Sequence, residues 1–185
     1  TFFAGIFERR RFLDIIRNFI CFLRGDRSLI KILAAYHQYF AVNKALESTL
    51  RAVDSNGKAG VFWHTQGSGK SLSMVFYANL LRQNLKRSTI VVITDRNDLD
   101  DQLFGQFAKC SAFLRQTPQQ AASRQDLKDL LKNREANGII FTTMQKFTES
   151  EEPLSERKDI IVMADEAHRG HYEIERIDPK SGEGK

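Results

Sequence analysis

From residue 61 onward the chain repeats one pattern, a short unbroken apolar run followed by a segment of helical periodicity, and few folds accommodate it. The runs at 61–63, 89–93, 139–141 and 160–163 are continuous rather than alternating, which predicts strands covered on both faces. Between them, residues 71–85 place Leu72, Val75, Phe76 and Leu80 at helical spacing, residues 99–109 form a second such segment, and residues 125–134 align Leu127, Leu130 and Leu131. Strand, helix, strand, helix predicts an α/β domain whose mostly parallel sheet is flanked by helices.

The residues before 61 read differently. Phe12, Ile15, Ile16, Phe19, Phe22 and Leu23 recur at helical spacing, so an amphipathic helix is expected over 11–24 that needs a surface to pack against. Gly25-Asp26 interrupts it, a second helix is expected over 28–50 with Ile30, Leu33, Tyr36 and Phe40 on one face, and 54–58 reads as a turn. Residues 1–27 are accordingly expected to be the end of a preceding domain or a helical linker, and 28–185 a domain of its own. The opening at Thr1 and the polar tail from 175 to 185 fit a piece of a longer protein.

A chain of 185 residues has room for one sizeable core. No apolar run approaches the roughly 18 residues a membrane helix needs, which speaks against a membrane partner. Cys21 and Cys110 are the only cysteines, too few for a disulfide framework, so a reducing, cytoplasmic setting is expected. The net charge of +5 favours a polyanionic partner.

The most specific local signal is VFWHTQGSGKS. A strand is expected to lead into a loop with glycines at 67 and 69, and Lys70-Ser71 then opens a helix, the order a nucleoside triphosphate requires. Without side chains in the way, the backbone N–H groups of Gln66, Gly67, Ser68 and Gly69 can approach phosphates, and the helix adds its positive end. Lys70 is expected to reach the β and γ phosphates, and the Ser71 hydroxyl to ligate Mg²⁺. The general pattern has glycine where His64 stands.

A second signal is the run ending in Asp165-Glu166-Ala167-His168, since ligands of open α/β sheets bind at the carboxyl ends of strands. Asp165 is expected to hold the shell of Mg²⁺, and Glu166 to orient and deprotonate the water that attacks the γ-phosphorus. His168 is expected to link the nucleotide site to DNA-side or partner-domain contacts. A metal pair of His168 and His171 lacks a third ligand at suitable spacing.

The segments FWHTQGSGKSLSMVF, VVITDRNDLDDQLFGQF, IIFTTMQKF and IIVMADEAHRGHY, preceded by FLDIIRNFICF and KILAAYHQYFAVNKAL, resemble a superfamily-two helicase core, and specifically the restriction (R) subunit of type I restriction-modification enzymes. The resemblance runs from about Phe12 onward in the family's order. It implies an ATP-dependent motor that translocates double-stranded DNA before a separate nuclease domain cleaves it, in complex with modification and specificity subunits. It also implies that Thr94, Asp95, Arg96, Thr142, Thr143 and Gln145 lie along the DNA groove, and that Gln38, with Tyr36 and Tyr39 nearby, reads the adenine edge of ATP.

The resemblance implies that 28–185 is the first RecA-like, P-loop, ATP-binding motor domain, cut after its acidic motif. In that family a nuclease domain precedes the helix at Phe12, and a second RecA-like domain with the arginine finger follows. The segment is therefore expected to bind nucleotide yet hydrolyse it poorly alone, and to cleave no DNA. Other superfamily-two helicases, a nucleotide-sensing switch and a small-molecule kinase are the competing readings. Against the switch stands the water-activating carboxylate; against the kinase, the want of an acceptor pocket and a lid arginine cluster.

Overall fold

The structure, a computed structural model, describes residues 5–25, 28–65, 67–95, 97–132, 137–146 and 153–167. They form two compact units, Thr1–Ser88 with Gly105–Thr117, and Thr89–Phe104 with Pro118–Lys185.

In the first unit, helix α1 (Arg9–Asn18) starts where the Glu8 carboxylate accepts the N–H groups of Arg10 and Arg11 at 3.1 and 2.9 Å, satisfying two of the donors a helix start leaves open. The helix expected over 11–24 stops here. Residues 20–24 instead form strand β1 (Ile20–Arg24), antiparallel to β2 (Leu29–Leu33), with Cys21 opposite Ile32. A run this short fits both periods, and the turn decides the outcome. Gly25 donates to the Ser28 carbonyl at 3.0 Å, and a Cβ on Gly25 would sit 2.9 Å from that oxygen.

The helix expected over 28–50 is likewise corrected, to β2 followed by α2 (Tyr36–Val53). Helix α3 (Lys70–Asn84) matches its expected position. Phe19 is the hinge of the packing, 4.7 Å from the ring of Tyr39 and 5.6 Å from that of Phe76, which in turn meets Phe113. Phe19 and Phe76 are fully buried, as are Val42, Val75, Leu81, Phe107 and Leu114, which is worth about 1.5–3 kcal/mol for each large side chain removed from water. A polar chain runs alongside them. Asp14 accepts from the Tyr39 hydroxyl at 2.8 Å and from Asn18 at 2.7 Å, and Asn18 accepts from Gln83 at 3.0 Å, so α1 ties α2 to α3. Burial, then the bond to the Asp14 carboxylate, push the Tyr39 phenol up to about 12, so it stays a donor.

The strand expected at 61–63 is absent. Residues 58–65 carry no regular structure, and Val61 and Trp63 are 92% and 82% exposed. Apolar composition alone does not make a strand; its N–H and C=O groups need a neighbour, and among the described residues the hairpin of this unit pairs only with itself.

The second unit holds the parallel sheet. Its strands β3 (Thr89–Thr94), β4 (Gln119–Gln120), β5 (Gly138–Thr143) and β6 (Ile160–Ala164) lie in the order β4-β5-β3-β6, all parallel. Every residue of β3 and β5 is buried, as continuous apolar runs demand. Helix α6 (Arg124–Lys132) covers one face, with Leu127 and Leu131 against Val91, Ile93 and Ile140. On the other face Phe104, from α4 (Asn97–Lys109), meets Phe141 edge-on at 5.4 Å. A short helix α5 (Ser111–Leu114) follows α4. The fold is α/β, a parallel sheet flanked by helices. β6 is an edge, and Val162 is 58% exposed there, so this strand is not covered on both faces as its composition suggested.

The amino end of the sheet is locked by Arg157. Its guanidinium makes a two-pronged ion pair with Asp159 at 2.9 and 3.0 Å, and also donates to the Leu131 carbonyl and the Thr89 hydroxyl. Among the described residues no helix is long and apolar enough to cross a membrane.

Candidate functional site

The loop of the first unit begins with a turn in which Ser68 donates to the Thr65 carbonyl from its N–H and its hydroxyl, the latter at 2.6 Å. Gly67 and Gly69 both have φ in the left-handed region, +77° and +79°, where an L side chain costs roughly 1–2 kcal/mol. Gly69 is also the residue before α3, and a Cβ there would lie 2.7 Å from Gln38 Nε2. Two independent reasons therefore require glycine at 69.

The start of α3 has no acidic residue in its first turn and no side-chain cap. A helix start of this kind, with its positive end and no carboxylate of its own, suits an anion. Lys70 is half-buried and Ser71 exposed.

The loop is gripped from α2. Gln38, 5% exposed, donates from Nε2 to the Gly69 carbonyl at 3.0 Å while its Oε1 accepts from the Ala35 N–H at 2.9 Å. Its amide thereby also caps α2, whose first residue follows an alanine with no acceptor of its own. The adenine-reading role expected of Gln38 has to share this side chain with two structural bonds. Next to it, His37 Nε2 lies 3.2 Å from the Ser68 carbonyl. His64 packs its ring between those of Phe62 and His37, at 4.7 and 5.2 Å, and its buried Nδ1 has no hydrogen-bond partner. Burial first, then the charges of His37 and Lys70, hold His64 below the ordinary histidine range, so it is neutral at pH 7. Sequence reading missed His37. The only signal was its place beside Gln38.

In the second unit, Asp165 continues the ladder of β6 by donating its N–H to the Ile93 carbonyl at 2.8 Å, and its carboxylate accepts from the Glu166 N–H at 3.0 Å. Glu166 sits at φ +49°, a conformation that non-glycine residues hold only where the surroundings impose it. Both side chains are half-buried at the carboxyl edge of the sheet. Thr94 and Thr143, paired in register across β3 and β5, end at that same edge.

The side chains of Thr94, Thr142 and Thr143 are buried, and the hydroxyls of Thr142 and Thr143 have no hydrogen-bond partner. Of the residues expected along a DNA groove, Asp95 and Gln145 reach solvent, and Gln145 donates to the Asp95 carbonyl at 3.3 Å. Gln66, Arg96 and His168 lie outside the described residues.

Magnesium bound with a nucleotide is commonly held by one or two hard protein oxygens together with phosphate oxygens and water. The Ser71 hydroxyl in the first unit is one oxygen of that kind, and the Asp165 carboxylate in the second unit is another. Among the described residues no three His, Cys, Asp or Glu side chains cluster as a self-sufficient metal site.

The family model of the SWI2/SNF2 ATPase matches residues 37–179. The chain is 49% identical over 178 residues to the type I restriction enzyme HindI endonuclease subunit of Haemophilus influenzae, covering 91% of this chain and 17% of that protein. It is 36% identical over 180 residues to the putative type I restriction enzyme MjaIXP endonuclease subunit of Methanocaldococcus jannaschii, covering 91% of this chain and 16% of that one. The chain thus spans less than a fifth of the length of these curated relatives.

Proposed function

Because the chain belongs to the SWI2/SNF2 ATPase family, we propose that it is the ATP-binding part of a DNA-translocating motor within the R subunit of a type I restriction enzyme. The observation that carries this reading is the loop at 67–71, with two left-handed glycines, a carbonyl gripped by Gln38, and Lys70-Ser71 opening an uncapped helix. Such a loop suits an anion of several charges, because oriented N–H groups need no rearrangement when it binds.

The steps assigned to this chain's residues are these. Lys70 neutralises charge on the β and γ phosphates, and the N–H groups of Gly67 to Ser71 hold their oxygens. Ser71 and Asp165 would hold Mg²⁺, which when bound neutralises phosphate charge. Glu166 takes the proton of the attacking water, whose oxygen bonds to the γ-phosphorus as the bond to ADP breaks, releasing ADP and phosphate. The Asp165 N–H bond to the Ile93 carbonyl supports this role by tying the residue before Glu166 to β3. Motion along double-stranded DNA would follow from nucleotide-driven closure against a second motor domain. DNA contacts would be to the backbone and salt-sensitive, with sequence recognition left to the modification and specificity subunits in the cytoplasm.

The test is DNA-stimulated ATP hydrolysis by the full-length protein. Glu166→Gln is expected to lower turnover by about 10²- to 10⁴-fold, the usual range for losing general base catalysis, and Lys70→Ala to abolish it. Wild-type turnover in both variants would remove the reading.

A further inference from the structure

Two consecutive residues of α2 reach two consecutive carbonyls of the loop, His37 to Ser68 and Gln38 to Gly69, each across 31 positions of sequence. A peptide unit is planar, with its C=O and the following N–H pointing in opposite directions. Anchoring a carbonyl on one side of the backbone therefore aims the next residue's N–H to the other side. By this rule Gln38 sets the N–H of Lys70, and His37 sets the N–H of Gly69.

We propose that His37 is a positioning residue for nucleotide binding, which donates its Nε2–H to the Ser68 carbonyl and so presents the Gly69 N–H to a phosphate oxygen. The proposal rests on the nucleotide-binding reading above. A carbonyl only accepts, so the bond requires the proton on Nε2. The ring is held for this by its neighbours. Tyr36 meets it edge-on at 5.5 Å and His64 packs against it at 5.2 Å. His64 stands where the general phosphate-loop pattern has a glycine. Its ring supplies a wall for His37, and this gives the departure from the pattern a physical use.

The test compares His37→Phe, His37→Ala and His37→Gln with wild type in the full-length protein. Phenylalanine keeps a ring against His64 and Tyr36 without a donor, and glutamine restores an N–H donor without the ring. Three readouts are needed: titration with a fluorescent N-methylanthraniloyl ATP and magnesium, KM and kcat for ATP hydrolysis, and the melting temperature without nucleotide.

The expected result is a Kd and KM raised about 2- to 12-fold in the Phe and Ala variants, the range for one net hydrogen bond. Melting temperature and kcat should stay close to wild type, and the Gln variant should return to within about 2-fold. Wild-type affinity in His37→Phe would overturn the proposal. So would a loss in all three variants that tracks a lower melting temperature, which marks a purely structural role. If wild type itself fails to bind the nucleotide, the motor reading falls, and this inference with it. Binding by wild type that is indifferent to His37 sinks this inference alone.

Discussion

At Ser68 and Gly69 the backbone is gripped by side chains from a helix 31 positions earlier in the chain, whereas Asp165 is held by the backbone of the strand beside it, through Ile93. The loop borrows its shape from outside, with left-handed glycines supplying the freedom and Gln38 removing it again. The strand end inherits its shape from a parallel ladder, and only Glu166, one residue past the last rung, carries an unusual φ. A ligand loop that must approach phosphates closely cannot carry bulky side chains of its own, so its bracing has to come from elsewhere. A carboxylate on a strand end has no such restriction, and pairing suffices.

The contrast is sharpest at Gly69. Gly69→Ala places a Cβ in the left-handed region and 2.7 Å from Gln38 Nε2. The amide must swing away, and the bonds to Gly69 and Ala35 are lost together. A loss of roughly 1–3 kcal/mol of stability is expected, with nucleotide affinity reduced more than about 10-fold, read by thermal melting and by titration. An Ala variant that binds as wild type would mean the grip on the loop is incidental.

The matching perturbation of the second unit is Arg157→Ala. It removes the ion pair to Asp159 and the bonds to Leu131 and Thr89, loosening the start of β6 rather than its end. Chemical denaturation should show a cost of about 1–3 kcal/mol, with nucleotide affinity changed less than in Gly69→Ala. The reverse ranking would erase the difference between the two regions.

A smaller effect is expected on acidification. His64 is held below its ordinary 6.5 by burial first and then by His37 and Lys70, so the unfolded chain binds the proton more readily than the folded one. Its contribution to stability is intact above pH 6.5 and falls as the pH drops below that value. His64→Asn should flatten that part of the stability profile between pH 7 and 5. An unchanged slope would show that His64 is not neutralised by its surroundings.

Smallest of all is Thr142→Val. The Thr142 hydroxyl is buried without a partner, and replacing it by an isosteric methyl should change stability by about 0–1 kcal/mol in the stabilising direction. A loss of DNA binding in this variant would instead give that hydroxyl a role outside the sheet.

How much of this could be read from sequence depended on whether the signal was local. The runs at 89–94 and 138–143 are apolar throughout and became fully buried strands, and the α3 boundary followed from Gly69-Lys70-Ser71. The run at 61–63 has the same composition yet stands exposed, because a strand is defined by its neighbours and periodicity names none. Residues 20–24 satisfied both periods, and antiparallel pairing with 29–33 settled them as a strand. Gln119–Gln120 pairs with β5 but carries no apolar side chain, so no apolar signal marked it. The place of Lys70 at a helix start, and of Asp165 and Glu166 just past a strand, was legible from the glycines and from an apolar run. The grip of His37 and Gln38 was not, since it joins residues far apart in the chain.

The most direct measurement of the central claim is magnesium-dependent binding of the fluorescent ATP analogue to the full-length protein and to its Lys70→Ala and Glu166→Gln variants. A triphosphate held by the loop and attacked with help from Glu166 predicts at least about 10-fold weaker binding for Lys70→Ala, where a phosphate loses its charged partner, and near-wild-type binding for Glu166→Gln. Equal affinity in all three proteins would contradict the account, because the loop would then hold no triphosphate.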